Sequence, residues 1–293
     1  MAEVATEIGA MVQTVGVVGA GTMGSGIAHV FALAGFDVLL CDVEQQVLDR
    51  AVGRIRLDLD REAAKGNLGE SQIAPILTRI SATVDRRALQ RADFAVEAAS
   101  ERFDVKAEIF KALDRILPEN VVLATNTSSI SIARLASVTY RPSQVIGMHF
   151  FNPVPRMELV EVVRSPRTSD KAFELVNTLT LMLGKTPVAV KDSPGFVSNR
   201  VLMPLINEAA HTVMEGVATP EAVDQVFKLG MAHPMGPLAL ADLIGLDVCV
   251  DILRVLQEGF SDPKYCPCPL LVQMVEAGAL GRKSGRGFYI YEK

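Results

Sequence analysis

Residues 14–24 read TVGVVGAGTMG, and this stretch decides the fold. A short Val-rich run bounded by glycine reads as a buried strand. Gly19, Gly21 and Gly24 then stand at G-x-G-x-x-G spacing, with Thr22 and Met23 completing the loop, and an apolar helical run continues through Ala34. Gly19 permits the tight turn, Gly21 lets the backbone approach a diphosphate, and Gly24 allows close helix-strand packing. The diphosphate would sit on the helix N-terminus, where amides and the dipole favour an anion. The next apolar run, DVLLCD, ends at Asp42, 18 residues after Gly24. A carboxylate there accepts hydrogen bonds from a ribose 2'-hydroxyl and repels a 2'-phosphate. These residues predict a dinucleotide site that prefers NAD to NADP. The plain alternative, a glycine-rich turn without a nucleotide, is weakened by the strand before the motif, the helix after it and Asp42 beyond.

Working outward, short apolar runs alternate with helical stretches: RISATV, DFAVEAA, VVLATN and QVIGMHFF. A long helical stretch over about 45–65 ends at Gly66. After QVIGMHFF, an NPVP turn leads into MELVEVV, then a helix near 170–183 and a last strand, TPVAV. This rhythm predicts an α/β fold, a Rossmann-type doubly wound and mostly parallel sheet. From about Lys191 the pattern changes to helices, with Thr219 as cap, Pro220 at a first helical position, Gly230 as a stop and Pro237 as a further start. The expectation is an NAD-binding domain over 1–190 and an all-α domain over 191–293 for substrate binding and dimerisation. The run PLALADLIGLDVCVDILRVL is too apolar for one packing face and predicts a homodimer through this half.

The net charge of -5 argues against nucleic acid as the main partner. No apolar run approaches the roughly 18 residues of a membrane helix. The first basic residue is Arg50, whereas leader peptides need early positive charge, so a cytoplasmic protein is expected. Cys41, Cys249, Cys266 and Cys268 are too scattered for a disulfide framework. The CPCP pair lacks the second pair that zinc would want, so reduced thiols and no metal are expected.

Hydride transfer from an alcohol needs a base to take the hydroxyl proton, and histidine suits this best near neutral pH. His29 lies in the first helix and His211 in a later one, where packed or surface roles suffice. His149, in GMHFFNPVP, stands at the carboxyl end of a strand, where open α/β sheets bind ligands. Twelve residues on, Glu161 sits among apolar residues in ELVEVV. A buried carboxylate needs a partner, and an imidazole that becomes imidazolium is suitable. Spacing alone leaves a chance pairing open.

GAGTMG, NTSSISI, GMHFFNPVPRMELVEVV, DSPGFVSNR, HPMGPLALADLIGLD and GRKSGRGFYIY together resemble the L-3-hydroxyacyl-CoA dehydrogenase family from about residue 14 to 291, most closely its 3-hydroxybutyryl-CoA branch. The resemblance implies that His149 is the general base and that Glu161 orients and charge-stabilises it. It implies that Ser128 and Asn199 hold the substrate's reacting oxygens, with Ser128 also bordering the cofactor. Asn152 would lie near the nicotinamide, and Glu101, Lys106 and Lys283 would contact NAD. Simple helix or turn caps are the alternative for Ser128 and Asn199.

At about 100° per residue, Arg50, Arg54, Arg61 and Lys65 fall in one stripe about 60° wide. Such a ridge could hold coenzyme A phosphates, or be a solvated face. Lys65 also matches a coenzyme A contact of the family, and Arg50 and Arg54 are grouped with it. Three features depart from the family pattern: Glu158 where a Lys usually stands, Asp58 where a small residue can occur, and YCPCPLL. They leave the acyl preference open.

Rival readings remain. The β-hydroxyacid dehydrogenases use a catalytic Lys from the helical half, and GFVSNRVLMPLINEA contains none. A relative acting on 3-hydroxyadipyl-CoA, or a crystallin-like enzyme acting on a sugar acid, is separated by coenzyme A dependence. A non-catalytic NAD-binding protein is disfavoured by the intact set of His149, Glu161, Ser128 and Asn199.

Overall fold

The runs of Val, Ile and Leu form strands of one eight-stranded sheet in the computed structural model, which describes residues 12–292. These are β1 (Thr14–Val18), β2 (Asp37–Cys41), β3 (Ile80–Thr83), β4 (Phe94–Glu97), β5 (Val122–Thr125), β6 (Val145–Phe150), β7 (Leu159–Arg164) and β8 (Thr186–Lys191). Their order is β3-β2-β1-β4-β5-β6-β7-β8, and every neighbouring pair is parallel except β6 and β7. All residues of β4, β5 and β6 are buried, as expected for strands covered by helices on both faces, whereas edge strand β3 has none buried.

The covering helices are α1 (Thr22–Leu33), α2 (Gln45–Ala64), α3 (Glu70–Thr78), α4 (Phe103–Ile116), α5 (Ile132–Ala136) and α6 (Asp170–Met182). Leu48, Ala51, Ile55 and Leu59 form the buried stripe of α2, which ends at Gly66 with a φ of 79°. The core gathers Val15, Val17, Ile27, Phe31, Phe94, Val96 and Phe150 on and beneath the sheet. Helix α3 was not anticipated, because Pro75 lies inside it and proline weighs against a helix interior.

The chain divides into two compact units between Asp192 and Ser193. The second contains α7 (Ser198–Met214), α8 (Pro220–Gln225), α9 (Pro237–Ile244), α10 (Leu246–Phe260) and α11 (Pro269–Glu276). The long apolar run forms two helices because Gly245, with a φ of 107°, breaks it. Two buried carboxylates organise this unit. Asp224 accepts from the Leu238 and Ala239 amides at the start of α9, each at 2.9 Å, and from the Tyr289 hydroxyl at 2.8 Å. Asp242 accepts from the Phe288 and Tyr289 amides and the Tyr291 hydroxyl, each at 3.0 Å. The motifs HPMGPLALAD and GRGFYIY are thereby fastened together. Among the described residues no helix is long and apolar enough to cross a membrane, and all four cysteines are free thiols.

Candidate active site

The loop between β1 and α1 is built from glycines, two of which tolerate nothing larger. Gly19 has a φ of 98°, and a Cβ there would meet the Ala98 carbonyl oxygen at 2.7 Å. A Cβ on Gly24 would lie 1.7 Å from the Gly19 carbonyl oxygen. At Gly21 an added Cβ meets nothing within 4 Å, because it points into open space. That space belongs to a cavity of about 830 Å³ lined by Gly19, Gly21, Thr22, Met23, Asp42 and residues 98–100. Helix α1 has Gly21 at its N-cap and no side-chain cap, so its first amides await an acceptor. The Asp42 carboxylate accepts from the Ala20 amide at 2.6 Å and the Val43 amide at 2.7 Å, which fixes it on the same wall. The bare Gly21, the uncapped helix and the anchored carboxylate fit an adenosine diphosphate. Arg86 also lines this cavity and was not foreseen from the sequence.

The His149 and Glu161 side chains meet. Antiparallel pairing sets His149 of β6 directly opposite Glu161 of β7, with Nδ1 2.8 Å from Oε2. Both are buried, at 8% and 2% exposure. The Phe150 amide beside His149 donates to Asn126 Oδ1 at 2.8 Å, tying β6 to the end of β5. The turn between β6 and β7 is held by Lys185, whose buried ammonium donates to the Val154 and Met157 carbonyls, each at 2.7 Å. Burial pushes the Lys185 pKa down, against the opposing charge of Glu158. Glu158 itself is exposed and Glu161 buried.

Ser128 lies in a loop organised by Glu101. One Glu101 oxygen accepts from the Thr127 hydroxyl at 2.5 Å, the Ser128 amide at 2.9 Å and the Ser129 amide at 3.1 Å. Burial alone would raise the Glu101 pKa, but the Lys106 charge and these hydrogen bonds outweigh it and hold it below the ordinary value. Lys106 is not on the cavity wall where a cofactor contact was expected. Its side chain is 1% exposed, and its ammonium lies 2.8 Å from Glu97 Oε1 and 3.5 Å from Glu101 Oε2. Glu97, Thr125 and Asn126 were missed from the sequence. Their signal was polarity at the ends of otherwise apolar strands, in FAVE and VLATN.

The remaining expected residues belong to other elements. Asn152 is exposed in the turn after β6. Asn199 is in the first turn of α7, its amide donating to the Gly195 carbonyl at 3.1 Å. Lys283 is ion-paired with Asp247 inside the helical unit, its ammonium 2.5 Å from Oδ1. In the basic stripe, Arg61 pairs with Asp58 at 3.1 Å and Lys65 with Glu62 at 2.8 Å. Arg54 donates to the Ala20 carbonyl at 3.3 Å, and Arg50 is exposed. His29 is buried on α1, and burial lowers its pKa despite the nearby charges of Asp58 and Glu62.

Comparison with known proteins identifies the family. Residues 14–193 match the family model of the 3-hydroxyacyl-CoA dehydrogenase NAD binding domain, and residues 195–291 that of its C-terminal domain. A probable 3-hydroxybutyryl-CoA dehydrogenase of Bacillus subtilis is 52% identical over 96% of this chain and 98% of its own. A 3-hydroxybutyryl-CoA dehydrogenase of Bradyrhizobium diazoefficiens is 50% identical over 96% of each chain. The crystal structure of (S)-3-hydroxybutyryl-CoA dehydrogenase from Ralstonia eutropha superposes with a TM-score of 0.94 at 50% identity, covering 96% of this chain and 100% of that one. With NAD as its cofactor, the chain belongs to the 3-hydroxyacyl-CoA dehydrogenase family.

Proposed function

We propose that this enzyme interconverts 3-hydroxybutyryl-CoA and acetoacetyl-CoA, with His149 as general acid and base. The observation that carries the chemistry is the buried contact of 2.8 Å between His149 Nδ1 and Glu161 Oε2. Nδ1 donates to the carboxylate, so proton exchange with the 3-hydroxyl falls to Nε2. In oxidation His149 takes the proton and becomes imidazolium; in reduction it returns it. Glu161 fixes the ring and faces the positive charge that forms on it in oxidation. NAD, when bound, supplies the acceptor for the hydride that leaves C3. Ser128 holds the reacting oxygen, where a hydroxyl dipole steadies the changing charge. Asn199 keeps the substrate-binding role that the family resemblance implies, and Asn152 and Lys283 their cofactor roles. The first unit binds NAD, and Arg50, Arg54 and Lys65 attract the coenzyme A phosphates.

Acetoacetyl-CoA should oxidise NADH, and free acetoacetate should support little or no turnover. Equal rates with the two would remove the thioester from the proposal, and a marked preference for 3-hydroxyadipyl-CoA would move the enzyme to another branch.

The helical unit is also assigned to substrate binding and dimerisation. It exposes Val201 (66%), Val217 (72%), Leu229 (84%) and Leu243 (50%), an apolar excess that a second copy would cover. Sedimentation at micromolar protein should give a dimer, and a monomer there would contradict the assignment. The free thiols suit a reducing compartment, and we place the enzyme in the cytoplasm.

A further inference from the structure

Glu97 is the last residue of β4 and is wholly buried, at 0% exposure. Its carboxylate collects groups from three separate elements. Oε1 accepts from the Ala99 amide at 2.6 Å and from the Lys106 ammonium of α4 at 2.8 Å. Oε2 accepts from the same ammonium at 3.0 Å and from the Thr125 hydroxyl of β5 at 2.7 Å. The Glu97 main-chain carbonyl takes the Asn126 amide at 2.7 Å.

Each of these groups leads to the site. Ala98, Ala99 and Ser100 form part of the cavity wall beside Gly19. Thr125 Oγ1 accepts the Thr127 amide at 3.2 Å, and Asn126 takes the Phe150 amide next to His149. Lys106 reaches from Glu97 to Glu101, the carboxylate that gathers residues 127–129. Burying an ionised carboxylate is costly unless it is paired and hydrogen-bonded, and Glu97 is both. A core position could have been filled by an apolar residue at no such cost. What the carboxylate adds is a rigid connection between two walls.

We propose that Glu97 is a positioning residue: it fixes Lys106, and through Lys106 the Glu101 carboxylate, so that the NAD cavity wall and the Ser128 loop are set as one piece. Glu97 touches neither cofactor nor substrate in this role. The proposal rests on the reading of Ser128 as a substrate-binding hydroxyl.

Glu97→Gln tests it, because the amide keeps the shape and can still hydrogen-bond Ala99 and Thr125 while losing the charge that holds Lys106. With acetoacetyl-CoA and NADH, kcat should fall roughly 10- to 100-fold, the scale of small misplacements in a reacting geometry. The KM for acetoacetyl-CoA should change little, because the coenzyme A handle binds elsewhere. NADH affinity, followed by NADH fluorescence without turnover, should weaken several-fold. Glu97→Gln combined with Lys106→Met removes the charge conflict from the core. Its melting temperature should recover while kcat stays low, since Glu101 has lost its cation.

Recovery of kcat together with stability in the double variant would show a merely structural pair and overturn the proposal. So would Glu97→Gln with unchanged kcat and NADH affinity. Should Glu97→Gln fail to fold, Thr125→Val deletes the hydroxyl linking Glu97 to Thr127 and should still lower kcat, unchanged turnover again overturning the idea. His149→Gln measured in parallel keeps the two readings apart. Full turnover there would defeat the proposed chemistry, whereas NADH affinity in Glu97→Gln is read without any step at His149.

Discussion

Asp42 carries two duties at once. Its oxygens hold the Ala20 and Val43 amides, which shapes the glycine loop, and its charge stands at the wall where a ribose would lie. The sequence could reveal the second duty from the spacing after Gly24, but the first depends on the close approach of β1 and β2, which no local pattern encodes. The wild-type enzyme should prefer NAD to NADP. Asp42→Asn retains one oxygen for a loop amide and removes the repulsion, so the ratio of kcat/KM for NAD to that for NADP should drop by about tenfold or more, a difference of about 1.4 kcal/mol. Arg86, on the same wall, favours a 2'-phosphate once the carboxylate is neutral. Equal kcat/KM for both cofactors in the unaltered enzyme would refute the role of Asp42.

Among the elements, α2 and the β6–β7 hairpin show how far sequence patterns reach. The period of α2 was legible, and with it the alignment of Arg50, Arg54, Arg61 and Lys65. Charges on the same helix answer them: Asp58 pairs with Arg61 and Glu62 with Lys65. Exposed pairs of this kind are worth about 0–1 kcal/mol, so a coenzyme A phosphate can displace them at little cost. Neutralising Arg50, Arg54 and Lys65 together should raise the KM for acetoacetyl-CoA and leave kcat nearly unchanged. An unchanged KM would assign the stripe to solvent. In the hairpin, NPVP signalled a turn, and a turn this short between two strands makes them antiparallel neighbours. Register then places Glu161 opposite His149, a contact that spacing alone had left open. The contacts that join Glu97, Lys106, Glu101 and Thr125 were not legible, because these residues come from different elements that meet only after the sheet is assembled.

Across the whole molecule, strand order explains why so many polar groups converge. The loops after β1, β4 and β5 leave the same edge of the parallel sheet, carrying the glycines, Ala98 to Glu101 and Asn126 to Ser129. His149 lies near that end of β6, and the antiparallel β7 brings Glu161 to it from the opposite chain direction. This is the crevice at the carboxyl ends of the strands where open α/β sheets bind ligands. The alternation of strands and helices made the architecture legible from the sequence, and the three glycines marked the nucleotide end. Whether His149 and Glu161 act as one catalytic unit is decided by kcat for His149→Gln, Glu161→Gln and the double variant, with NADH binding measured alongside. Glu161→Gln should lower kcat roughly 10²- to 10⁴-fold, and His149→Gln at least as much. The double variant should be little worse than the worse single one, with NADH affinity largely intact. Losses that multiply in the double variant, or a folded, NADH-binding His149→Gln enzyme with near-normal turnover, would contradict the account.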